Sequence, residues 1–215
     1  MQHFIFDLDG TITNPKAGIL GGYHYAFQQL GFPQKPDEEL VKLIGPPLRY
    51  VFSKLYQCSE EDTQKGIEYY KTYYYNNGGM YDAVLFDGMK ELFQTLKSKN
   101  KTLHIATNKG YRVDKILEHF GVLDYFTQIE FYSEEKNVLT KDTMINNILQ
   151  KENITDKKSV VMIGDRENDL SAAKNIGVCK VGVLYGFGTK EELTPYHPDF
   201  LVNTVPELQQ VLYHL

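Results

Sequence analysis

The sequence predicts an α/β fold: a doubly wound parallel sheet with a small helical domain inserted after its first strand. Three observations predict it. Short, nearly continuous apolar runs recur along the chain, amphipathic stretches separate most of them, and one long segment breaks the alternation.

The runs are His3 to Phe6, Leu103 to Ala106, Ile129 to Tyr132, Val160 to Ile163, Lys180 to Leu184 and Phe200 to Val202. They lack polar alternation, as strands covered by helices on both faces should, and this implies a parallel sheet. Between them, Met89 to Ser98 places Leu92, Phe93 and Leu96 at helical spacing, and helices are also predicted over Arg112 to Phe120, Lys141 to Gln150 and Asn168 to Asn175. The exception is Ala17 to Tyr81, which contains "GGYHYAFQQLG", "DEELVKLI" after Pro36 and "EEDTQKGIEYYKTYYY" after Ser59, with no convincing strand. Ser59 and Asp62 fit a capping arrangement at the start of the last of these. The expected organisation is a core domain of residues 1–16 and 82–215 and a helical cap of residues 17–81, placed above the carboxyl ends of the strands, where open α/β sheets bind ligands. The tyrosines at 69, 70, 73, 74 and 75 read as cap core or packing surface, since a stacking platform for nucleic acid needs interleaved basic residues.

Composition narrows the function. With 215 residues, 42% hydrophobic and 24% charged, the chain has the profile of an ordinary folded protein. A net charge of -5 provides no general attraction for nucleic acid or an anionic membrane, so an anionic ligand needs a local cationic site. Cys58 and Cys179 have no metal-type spacing and read as small hydrophobes. No apolar run reaches the length of a membrane span, and a cytoplasmic setting is the default expectation.

The chemistry gathers at strand ends. "FIFDLDGT" places Asp7 and Asp9 after the first apolar run; residues two apart in a strand project to one side, and Gly10 lets the backbone turn closely about a ligand. Two carboxylates this close resist joint ionisation unless a cation intervenes or one keeps its proton, an asymmetry suited to a nucleophile and a general acid. A calcium loop is excluded by the strand context and by missing acidic residues at its ligand spacings. "VVMIGDRENDL" delivers Asp165 at another strand end and Asp169 one helical turn later, a small set of hard oxygen donors that suits magnesium. Thr107 ends "TLHIAT" with a hydroxyl that can donate to phosphate, and Lys141 starts a helix where it can neutralise phosphate charge. Gly186 and Gly188 in "GFGTK" read as a turn bordering the site, without P-loop spacing. In the cap, His24, Arg49 and Lys54 could meet a second anionic group of a substrate, Lys109 after "ATN" could border the pocket, and spacing does not decide among the four.

The order "DLDGT", "ATN", a helix-starting lysine and "GDRENDL" resembles the four motifs of the haloacid dehalogenase superfamily, across essentially the whole chain. The "IGPPL" and "VLYGFGTKEEL" stretches resemble phosphoglycolate-phosphatase-like members with a small α-helical cap and a Rossmann-like core. The resemblance implies that Asp7 attacks phosphorus to form an aspartyl-phosphate, and that Asp9 protonates the leaving oxygen and later activates water. It further implies that Asp7, Asp165 and the backbone carbonyl of Asp9 hold Mg2+, that Thr107, Asn108 and Lys141 bind the phosphoryl oxygens, and that Gly10 and Asp169 support them. The expected activity is hydrolysis of a small phosphorylated metabolite, with phosphoglycolate as first candidate, by a monomer or homodimer that binds neither nucleic acid nor membrane. A 5'-nucleotidase, a pyrophosphatase, a hexose phosphate mutase and a phosphoaspartate signalling switch are the alternatives.

Overall fold

Apolar runs become strands where both faces are covered, and here they build a six-stranded parallel sheet. The computed structural model describes residues 1–215. In chain order the strands are β1 (His3–Phe6), β2 (Thr13–Asn14), β3 (Val84–Leu85), β4 (Thr102–Thr107), β5 (Phe126–Phe131), β6 (Val160–Gly164), β7 (Cys179–Val183) and β8 (Phe200–Val202). The helices are α1 (Lys16–Leu30), α2 (Asp37–Leu40), α3 (Leu48–Tyr50), α4 (Glu60–Lys71), α5 (Met89–Ser98), α6 (Val113–His119), α7 (Lys141–Lys151), α8 (Glu167–Ile176), α9 (Lys190–Leu193) and α10 (Val205–His214). None is long and apolar enough to cross a membrane.

The chain divides into two compact units, residues 1–14 with 85–215, and residues 15–84. In the first, the sheet order is β5-β4-β1-β6-β7-β8, with every neighbouring pair parallel. Leaving out the short β2 and β3, this is the strand order of a doubly wound sheet. β1 lies at its centre, with Phe6 in register with Ile105 on one side and Ile163 on the other. The side chains of β1 feed two cores. Ile5 packs with Met144, Ile145 and Ile148 of α7 and with Ala172 and Ala173 of α8. Phe6 points to the opposite face, edge-on to Phe93 of α5 at 5.5 Å between ring centroids.

Element ends differ from the sequence expectation at the edges of the sheet. β5 begins at Phe126, three residues before the predicted Ile129, because this edge strand is only partly covered and so admits Thr127 and Gln128. α6 begins at Val113, since Arg112 takes a left-handed φ of 68° and stands outside the helix.

The second unit is helical. Its centre is aromatic: Tyr23 of α1 lies 5.1 Å from Tyr70 of α4 and 6.2 Å from Phe52, and Tyr70 stacks on Tyr74 at 5.4 Å. Tyr70, Tyr74 and Tyr75 are buried, so most of the tyrosine cluster is the core of this unit. The Ser59 hydroxyl accepts from the Asp62 backbone N–H at 3.0 Å and caps α4. Wide π-helical turns follow α3 over Val51–Leu55 and α4 over Thr72–Asn76.

Candidate active site

The carboxyl ends of β1, β4 and β6, three adjacent strands, deliver the candidate residues to one place. The Asp7 N–H donates to the Ile163 carbonyl at 2.9 Å, so the ladder with β6 runs one residue beyond β1. The chain then turns: the N–H groups of Thr11, Ile12 and Thr13 converge on the Leu8 carbonyl at 3.3, 2.9 and 3.0 Å. Leu8 is fully buried. Asp9 therefore belongs to a turn and not to a strand, and it is the turn, not the pleat, that brings its carboxylate near that of Asp7.

Gly10 makes the turn possible. Its φ is +84°, and a Cβ there would fall on the Asp165 carboxylate. A second close approach lies across Asp165: a Cβ on Gly186 would overlap the Gly10 carbonyl and the Asp165 side chain. Between these backbones the Asp165 carboxylate accepts the Phe187 N–H at 2.7 Å and lies 3.4 Å from the Thr11 hydroxyl. The Tyr185 hydroxyl donates to the Thr11 carbonyl at 2.9 Å and ties this loop to the turn after β1.

Lys141 opens α7, whose first turn is capped by Thr140. Its ammonium lies 2.6 Å from Asp7 Oδ1 and 2.7 Å from Asp169 Oδ1, and it donates to the Ala106 carbonyl at 2.6 Å. The contacts to Asp7 and Ala106 are hydrogen bonds, and that to Asp169 is an ion pair. Burial opposes its charge, but Asp169 and Asp7 outweigh burial and hold the lysine above its usual range. Asp169 stands in the first turn of α8, where its Oδ2 accepts the Arg166 N–H at 3.1 Å. Asp7, Asp165 and Asp169 offer ligand oxygens within 4.8 Å of one another.

Of the four basic residues among which spacing does not decide, Lys109 is the one that the structure sets against the aspartate cluster. Its ammonium pairs with Asp9 Oδ2 at 2.9 Å, with the lysine side chain 5% and the aspartate 13% exposed. Its N–H donates to the Thr107 hydroxyl at 3.1 Å. Asn108 stands between them in the same turn, half-buried. The other three unplaced basic residues lie in the second unit. His24 lies 2.8 Å from Asp37, Arg49 lies 2.7 Å from Glu60, and Lys54 is exposed.

The electrostatics favour a divalent cation. Four carboxylates, of Asp7, Asp9, Asp165 and Asp169, face the two ammoniums of Lys109 and Lys141. Burial, with the charges of Asp7 and Asp169 beside it, pushes the Asp165 carboxyl well above the usual range, and burial raises Asp169 as well. Carboxylates so crowded take up protons unless a cation joins them, and a hard, all-oxygen set of this size fits Mg2+. Asp9 is raised by burial, with Lys109 opposing and Asp7 reinforcing the rise, and its Oδ1 is buried without a hydrogen-bond partner. With Oδ2 engaged by Lys109, Oδ1 is the oxygen left to meet a ligand.

Comparison with known proteins gives one consistent kinship. The family model of haloacid dehalogenase-like hydrolases matches residues 4–183. A 5'-nucleotidase of Pseudomonas aeruginosa is 34% identical over 98% of this chain and 95% of its own length. A phosphoglycolate phosphatase of Vibrio parahaemolyticus is 28% identical over 96% and 94%. The crystal structure of a predicted phosphatase from Clostridium acetobutylicum superposes with a TM-score of 0.92 at 33% identity, covering 100% of this chain and 99% of that one.

Proposed function

Because the chain belongs to the haloacid dehalogenase-like hydrolase family, we propose that the buried aspartate cluster makes it a magnesium-dependent phosphatase acting on a small phosphomonoester through an aspartyl-phosphate. The observation that carries the reading is the Asp7–Lys141–Asp169 cluster with Asp165 beside it and the unengaged Asp9 Oδ1 nearby.

In this reading an Asp7 carboxylate oxygen bonds to phosphorus as the phosphorus–oxygen bond to the leaving group breaks, and Asp9 gives its proton to the departing oxygen. Asp9, now ionised, takes a proton from water while the water oxygen bonds to phosphorus. The bond to Asp7 breaks, inorganic phosphate leaves, and the aspartate is restored. Thr107, Asn108 and Lys141 bind the phosphoryl oxygens, and the first turns of α7 and α8 add the positive ends of their helix dipoles. Asp169 positions Lys141 and with Gly10 supports the cluster. Asp7, Asp165 and the Asp9 carbonyl would hold the magnesium ion, which when bound supplies positive charge against the phosphoryl oxygens. The helical residues 17–81 serve as the cap in this organisation.

Phosphoglycolate is the first substrate candidate, and the name of the Pseudomonas relative supports nucleoside 5'-monophosphates as the second. The test is phosphate release, with and without magnesium, from 2-phosphoglycolate, 5'-nucleotides, sugar phosphates and pyrophosphate. Magnesium-dependent release abolished by Asp7→Asn is the expected result. Release that survives Asp7→Asn removes Asp7 from the nucleophile's role, and isomerised sugar phosphate without free phosphate would replace a hydrolase by a mutase.

A further inference from the structure

We propose that Lys109 is a specificity-determining residue that selects substrates whose leaving group carries a second negative charge close to the scissile oxygen, as a carboxylate or as a second phosphoryl group. The inference rests on the phosphatase reading above and names the substrate class for that site.

The two buried lysines sit on different carboxylates. Lys141 is committed to Asp7, Asp169 and the Ala106 carbonyl, on the side of the nucleophile. Lys109 is on Asp9, which in the phosphatase reading serves the departing oxygen. Asp9 Oδ2 holds the Lys109 ammonium while Oδ1, buried and without a hydrogen-bond partner, is left for the leaving oxygen. One carboxylate thus spans the leaving oxygen and a fixed cation, which stands across the width of a carboxylate from the atom that departs. A neutral alkyl chain at that place meets an ammonium and gains nothing; an anion one or two atoms beyond the scissile oxygen meets its counter-charge.

The cation is also held in place. The Lys109 N–H donates to the Thr107 hydroxyl at 3.1 Å, its carbonyl accepts the Tyr132 N–H at 3.2 Å, and its side chain is 5% exposed. A charge fixed before binding loses little entropy when it meets its ligand. Thr107 belongs to the candidate phosphate site, so one turn anchors both the phosphoryl pocket and the cation next to it. Pyrophosphate and phosphoglycolate share the required chemistry, and a nucleoside 5'-monophosphate, whose leaving group is a neutral ribose, lacks it.

The experiment compares kcat/KM for 2-phosphoglycolate, its uncharged carboxamide, pyrophosphate and a nucleoside 5'-monophosphate in the parent, Lys109→Met and Lys109→Arg proteins. The parent should prefer one or both charged-leaving-group substrates. Lys109→Met should lose on the order of ten- to a hundredfold more on those than on the carboxamide, the range of a charge-assisted contact. Lys109→Arg should recover part of the difference. A loss confined to phosphoglycolate assigns the second anion as carboxylate, and one confined to pyrophosphate as phosphate; either supports the inference. An equal loss on every substrate means Lys109 acts only through Asp9 and overturns it, as does a parent that prefers the carboxamide or the nucleotide. The parent's preference needs no variant, so a poorly folded Lys109→Met does not protect the claim. Parent turnover lost in Asp7→Asn reports separately on the phosphatase reading: its absence on all four substrates overturns that reading and this inference together.

Discussion

Lys141→Met keeps the length of the side chain and removes only its ammonium, and the structure sets the consequence. That ammonium lies 2.6 Å from Asp7 Oδ1 and 2.7 Å from Asp169 Oδ1, on a side chain only 2% exposed. Removing it leaves two buried carboxylates and the Ala106 carbonyl without their shared donor. Removing one partner of a buried ion pair costs about 3–5 kcal/mol. For a chain of this size that corresponds to a fall in Tm of roughly 6–20 °C. The fall should be largest at pH 7 in chelator. Magnesium should raise the variant's Tm more than the parent's, because the cation supplies the missing positive charge. Lower pH should narrow the gap, because burial makes the stranded Asp169 carboxyl hold a proton more tightly in the folded state than in the unfolded one, and its protonation therefore favours folding. Melting curves followed by circular dichroism with EDTA and with magnesium, at pH 5 and 7, test each point. A variant within about 3 °C of the parent at pH 7 in EDTA, which is at most half the smallest fall expected, would refute the claim that Lys141 neutralises the buried cluster. Phosphate release should fall on the order of a hundredfold or more if the phosphoryl contact tightens in the transition state.

Three further outcomes are expected. Asp9→Asn should still release p-nitrophenol from p-nitrophenyl phosphate in a single burst, because that leaving group needs no proton, while losing turnover of alkyl phosphates; stopped-flow absorbance without a burst would contradict the acid's assigned role. Gly186→Ala drives a methyl group into the Gly10 carbonyl and Asp165 and should weaken Mn2+ binding on the order of tenfold or more by electron paramagnetic resonance, with unchanged affinity arguing against Asp165 as a ligand. His104 is fully buried, and burial with His3 beside it pushes its imidazole down to about 3. The unfolded chain therefore binds a proton below the usual histidine value that the folded chain refuses, and stability from this group, complete above about pH 6.5, is lost as pH falls. Between pH 6.5 and 4.5 the loss is about 2 to 3 kcal/mol, and His104→Leu should show that much less acid sensitivity in urea titrations; identical slopes would contradict it.

The fold and the site were legible in the sequence to different depths, for a physical reason. β1 and β6 are central strands covered on both faces, so every position but His3 is apolar and the run announces itself. β5 is an edge strand, and its Thr127 and Gln128 hide its beginning. β2 and β3, at two residues each, contain too few residues to show any period. Asp7, Thr107 and Asp165 were readable because each lies at or just past the end of a strand, and in a parallel sheet strand ends meet on one side. Asp169 and Lys141 were readable one step further, because the first turn of the following helix returns to that same side. Lys109 has the same residue type as every solvated lysine of the chain, and its partner lies a hundred positions away. What marks it is its place two residues past Thr107, in a turn whose backbone is tied to the Thr107 hydroxyl. A basic residue in the turn after a strand that ends at the candidate site stays close to that site, and a carboxylate there can receive it. The same reasoning separates Lys109 from Arg49 and His24, whose carboxylate partners lie in their own helical unit and whose chemistry is therefore accounted for within it. On the proposed reading, a cation for a second charge on the substrate is thus to be sought first in the turn after β4.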